Sequence, residues 1–207
     1  QVGHEGVGQL TVEGGGSMIL ENLGADLSIG VEPSGVGTMT VKDPFSLVVI
    51  PDSHSIGAEG IGRMEILGGG FVHNTDTTKV ATIGAAATGI GTVLVDGAGS
   101  IWKIDNDLVI GEVGIGTLTI SDQGLIDVDR EDAVATVGAR GRLQLAGGTI
   151  AGQNIVLDGY LGGSGLVRGS VVGSVDSLID VPQGALLRFA GDVDNQGSIR
   201  VRGGEVE

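Results

Sequence analysis

The stretch Ile83-Gly84-Ala85-Ala86-Ala87-Thr88-Gly89-Ile90-Gly91-Thr92-Val93-Leu94-Val95-Asp96-Gly97-Ala98-Gly99-Ser100-Ile101-Trp102-Lys103-Ile104-Asp105-Asn106-Asp107-Leu108-Val109-Ile110-Gly111 begins and ends on the same pair. That pair is a β-branched residue followed by glycine, and its two copies stand 27 residues apart. Between them, Gly89-Ile90-Gly91 opens a run of period two in which Val93 and Val95 share one face. Period two places alternate side chains on opposite faces of a strand, one buried and one wet. A second apolar run follows at Ile101–Ile104, and a third leads into Ile110-Gly111. Three short strands closing in 27 residues describe one turn of a triangular coil.

The same reading extends in both directions. The pair stands at Val2-Gly3, Ile29-Gly30, Ile56-Gly57, Ile83-Gly84, Ile110-Gly111 and Val137-Gly138, always 27 residues apart. The glycine-flanked signal recurs as Gly6-Val7-Gly8, Gly35-Val36-Gly37, Gly60-Ile61-Gly62 and Gly114-Ile115-Gly116. Inward residues of the first strand are expected at Leu10/Val12, Met39/Val41, Met64/Ile66, Val93/Val95, Leu118/Ile120 and Leu143/Leu145. The distance from the opening residue to the end of that strand alternates: Val2 to Val12 is 10 residues, Ile29 to Val41 is 12. The remainder of each unit compensates, so two corners exchange two residues while the coil length holds. Stacking demands this, because a one-residue slip would turn every core side chain outward.

One unit cannot bury its apolar stripe alone. Piled at about 4.8 Å per layer, successive coils pair their N–H and C=O groups and line up small aliphatics inside. The expected fold is therefore all-β, a right-handed parallel β-helix with three short strands per coil. Residues 1–136 supply five regular 27-residue coils, and 137–207 continue the β-helix with irregular coils, for a rod of roughly 35–40 Å. Composition agrees: 41 Gly, no Cys, one Trp, one Tyr and three Phe in 207 residues. Gly inside a helix costs about 1 kcal/mol relative to Ala, so long helices do not fit this mix.

Val95-Asp96-Gly97-Ala98-Gly99-Ser100-Ile101-Trp102, Leu108-Val109-Ile110-Gly111 and Gly114-Ile115-Gly116-Thr117-Leu118-Thr119-Ile120-Ser121 resemble the repeat of autotransporter passenger regions and of PEP-CTERM-type exported proteins. Gly147-Gly148-Thr149-Ile150 and Leu161-Gly162-Gly163-Ser164-Gly165 are similar to the passenger segments that follow such repeats. The resemblance covers essentially the whole chain. It implies an extracellular or bacterial cell-surface β-helix and supplies no catalytic residues.

The net charge is −15. Such a surface repels nucleic-acid phosphates and anionic membranes, so neither is an expected partner. No apolar run is long enough to span a bilayer. His4, His54 and His73 fall at different places in the repeat and read as surface-loop histidines. There is no nucleophile elbow and no phosphate-binding loop. We therefore expect a structural protein without an enzymatic or cofactor site.

Ca²⁺ is the one metal to weigh, since corner carbonyls and carboxylates could supply its six to eight oxygens. Its candidate positions are Asp105-Asn106-Asp107, Asp127/Asp129/Glu131/Asp132 and Asp192/Asp194/Asn195, which read first as solvated corners. The alternative function is a carbohydrate-binding or polysaccharide-cleaving β-helix. For it, Asp127 and Asp129 share a strand face, but no basic partner is evident in the sequence. The outward Thr38/Thr40, Thr92 and Thr117/Thr119 do not form a continuous ladder, being interrupted by Arg63/Glu65, Leu94 and Arg142/Gln144. The chain begins in register and finishes strand-like, which leads us to expect either continuation in a longer chain or end-to-end self-association. Cell-surface or extracellular polysaccharide is the remaining expected partner.

Overall fold

The computed structural model describes residues 1–21, 26–128 and 130–207. It is all-β. Among the described residues, twenty-two strands join through parallel ladders into one sheet that winds round an axis as a parallel β-helix. In the fourth coil the strands are Ile90–Asp96, Ile101–Ile104 and Leu108–Ile110, hereafter the first, second and third faces. On the first face, strands stack nine deep, from Val7–Val12 at one end to Ser198–Val201 at the other. Nine layers at about 4.8 Å give a rod of about 40 Å. No helix among the described residues is long and apolar enough to cross a membrane.

Register carries the 27-residue repeat into space. Ile29 pairs with Ile56, Ile56 with Ile83, Ile83 with Ile110 and Ile110 with Val137. The expected inward pairs of the first face are buried, except Leu10 in the first coil, which is half-buried. The second face adds Val48/Ile50, Ile126/Val128 and their equivalents. Each regular coil fills its interior with six such side chains, enough because each ladder continues above and below.

The corners explain the glycines. Gly30, Gly57, Gly84 and Gly111 adopt φ near +70°, the left-handed region that disfavours any Cβ. A Cβ on Gly57 would also land on the Ile90 backbone of the next coil. Where the first face meets the second, corners of four and three residues alternate and mesh from the second coil to the fifth. Ser46 and Ser100 end the four-residue corners of the second and fourth coils as buried side chains. Ser46 Oγ accepts from the Gly15 N–H at 3.1 Å, and Ser100 Oγ accepts from the Gly69 N–H at 3.0 Å.

The central residues of the glycine-flanked signals form an outward file, Val7, Val36, Ile61, Ile90 and Ile115, in register. Val7, at the end of the file, is 81% exposed, whereas the four that follow are 36–47% exposed. Stacked aliphatics shelter one another, which accounts for β-branched residues at an outward position.

Past Val137 the contour shortens. Val137 pairs with Leu157, Leu157 with Gly173 and Gly173 with Asn195, so successive coils take 20, 16 and 22 residues. Gly141–Leu157 is a single strand bent round all three faces, and Tyr160–Gly173 repeats this with register shifts at its corners.

The interior departs from the sequence reading at one place. His54 lies in the core between Leu27 and Ala81 of the third-face ladder and is fully buried. It is not a surface-loop histidine. Trp102, also fully buried, meets the His54 ring edge-on, with centroids 5.6 Å apart. Trp102 Nε1 donates to Asn74 Oδ1 at 2.7 Å.

Candidate functional site

A concavity lies where the rod narrows, between the second and third faces. Eight residues separate the inward Ile126 from Ala135 in the last full-length coil. Four separate Ile150 from Ile155 in the next, and three separate Val167 from Val171 and Phe189 from Val193 thereafter. Shortening the corner while the ladders continue leaves a step in the surface. A groove of about 480 Å³ occupies it, within the range of ligand sites.

Its polar lining comes from three successive coils. Asp127 stands on the outer side of Leu125–Val128 and pairs in register with Ala151, which pairs with Arg168. Gln153 and Ser170 follow at the tightened corner, and Gly152, Gly169 and Gly191 form the floor. Gly169 has φ of +131°, and a Cβ there would meet the Gly152 carbonyl, so the floor stays bare backbone. Leu125 supplies an apolar edge. Arg168 is exposed and makes no hydrogen bond or ion pair with any other described residue. Most other cations are engaged, as in Arg63–Glu65, Arg188–Glu207 and Arg202–Asp180.

This arrangement corrects one expectation: Asp127 does have basic neighbours. Lys103 lies beside it in register, and Arg168 lies two layers away in the same groove. Asp129 lies outside the described residues, and Glu131 and Asp132 are exposed on the adjoining corner. Asp105 is committed to His73, whose Nε2 is 2.9 Å away, and to Lys103 at 3.7 Å. Asp107 accepts from the Val134 N–H at 2.8 Å. Asp192 and Asp194 are exposed, while Asn195 Oδ1 accepts from Ser177 at 2.6 Å. Among the described residues, no three or more His, Asp or Glu side chains gather as a metal site. His4 is exposed, and His73 is half-buried on an outward position stacked on Phe71. The threonine positions lie in register with Arg63/Glu65 and Arg142/Gln144, an interrupted file as read.

His54 has neither ring nitrogen hydrogen-bonded. Burial holds its pKa down at about 4, with the nearby Asn74 amide, outside bonding geometry, opposing the drop. It is neutral at pH 7.

No family model and no solved structure matches the chain. The chain is similar to the "Uncharacterized lipoprotein YdeK" of Escherichia coli (strain K12), at 28% identity over 135 residues. The match covers 61% of this chain and 9% of that protein, so the chain spans a small part of its relative's length.

Proposed function

We propose that this chain is a structural, non-catalytic stretch of a bacterial cell-surface solenoid, a stiff acidic spacer in an adhesin-like stalk. The observation that supports it most is the unbroken stack of nine parallel layers on the first face. A rod whose main chain is bonded along its whole axis resists bending and sets a distance. Its net charge of −15 keeps neighbouring rods apart. Similarity to a protein named as a lipoprotein supports placement in the cell envelope.

The test is protease shaving of intact cells that make the full-length parent protein with an epitope in the corner 30–35. Loss of the epitope from intact cells is the expected result; protection until lysis overturns the surface placement. Electron microscopy of the purified chain separates spacer from assembling subunit. Short dispersed rods accord with a spacer, and long filaments of the same width replace it with end-to-end assembly.

A further inference from the structure

The groove at the step makes a second use of the rod, independent of whether the spacer reading holds. We propose that it binds an uncharged saccharide chain, with Arg168, Asp127, Gln153 and Ser170 recognising hydroxyls along three successive coils.

The chemistry of the lining selects the ligand. A guanidinium only donates hydrogen bonds, a carboxylate only accepts them, and an amide and a hydroxyl do both. Sugar hydroxyls both donate and accept, so one polyol can bond all four while Asp127 and Gln153 keep the interactions they already make. Bonds to the two charged groups are the stronger ones. Arg168 has no partner among the described residues, so engaging it sacrifices no existing bond. The bare floor at Gly152, Gly169 and Gly191 lets a ring approach the backbone, and Leu125 offers an apolar edge to its C–H face.

Shape agrees with an extended chain. The lining residues follow one another along the rod axis at about 4.8 Å per layer, so a polymer would lie across the strands. Competing ligands fit less well. A polyanion meets Asp127 in the groove and −15 overall, and a cation meets Arg168.

The test is calorimetric titration of the folded chain with neutral hexasaccharides of glucose, mannose, galactose and N-acetylglucosamine, and with hexagalacturonate as the charged arm. Saturable binding of at least one neutral hexamer is expected, weakened tenfold or more by Arg168→Ala and by Asp127→Asn. Arg63→Ala, on the first face, should leave it unchanged, and Arg168→Ala, which breaks no bond, should melt like the parent. The proposal is overturned by absence of saturable binding across the neutral set. It is equally overturned by binding that Arg168→Ala leaves intact, or by preference for hexagalacturonate.

Discussion

The coils up to Val137 and those beyond it share one ladder but turn their corners differently. In the first region every coil takes 27 residues and turns on glycines near φ +70°, at Gly3, Gly30, Gly57, Gly84 and Gly111. In the second, Gly138 holds the same sequence position without positive φ, and the coils shrink to 20 and then 16 residues. The inward alternation survives, with Ile150, Ile155, Leu157, Val167 and Val171 all buried. The solenoid is thus constrained by its ladders and free in its corners. Where the corners change, the surface gains a step, and the step is where the rod acquires a groove.

The largest effect should come from attacking the corner glycines. Gly57→Ala combines positive φ with a Cβ driven into the Ile90 backbone, so two layers must separate. A loss of about 3 kcal/mol or more is expected in urea unfolding. Gly184→Ala, in the second region, shares the positive φ (+74°) but has nothing within 4 Å. It should lose only about 1 kcal/mol, the conformational share. Equal losses would show that the close approach between coils contributes nothing.

The second contrast lies in the interiors. The regular coils enclose His54, Asn74 and Trp102, whereas the shortened coils between Leu143 and Val171 are filled by aliphatics. The unfolded chain protonates His54 near pH 6.5, while the folded chain resists until about pH 4. Its neutral form therefore supports the fold fully above pH 6.5. That support declines as pH falls through this window, by about 3 kcal/mol at most. Hydrogen exchange should show the third-face strands Leu27–Ile29, His54–Ile56 and Ala81–Ile83 losing protection before Gly141–Leu157. His54→Leu should flatten the part of the acid slope between pH 6.5 and 4. An unchanged slope in that variant would assign the acid sensitivity to surface carboxylates.

How far the sequence reveals this molecule depends on whether neighbours in space share the repeat. Within it, position is enough: Met39, Met64 and Val93 stack because their spacing says so. The same logic could have placed His54 inside. It stands two residues before Ile56, as Leu27 stands before Ile29 and Ala81 before Ile83. Polarity argues for the surface at that position and register for the core, and register decides. Arg168 is a different case. It reaches the groove of Asp127 only because the coils shorten between them, and no constant period brings the two together. Contour length there is set by bulges, such as the one between Ala151 and Asn154, which leave little trace in alternation.

The smallest expected effect concerns the corner between the first and second faces, where each regular coil places two residues in the left-handed region. They are Gly14 and Gly15, Asp43 and Phe45, Gly68 and Gly69, Gly97 and Gly99, Asp122 and Gln123. Phe45 takes the place in its corner that Gly99 takes in the corner 97–100, with φ of +69° and 90% exposure. Its ring buries almost nothing to offset a strain of about 1–2 kcal/mol. Glycine removes that strain but gives the unfolded chain more freedom, which returns roughly 0.5–1 kcal/mol. Phe45→Gly should therefore stabilise the rod by up to about 1 kcal/mol, seen as a small rise in urea midpoint at unchanged slope. Gly99→Phe should lose a similar amount. A loss on Phe45→Gly would mean that the ring packs on something in solution, which would make this corner a contact surface.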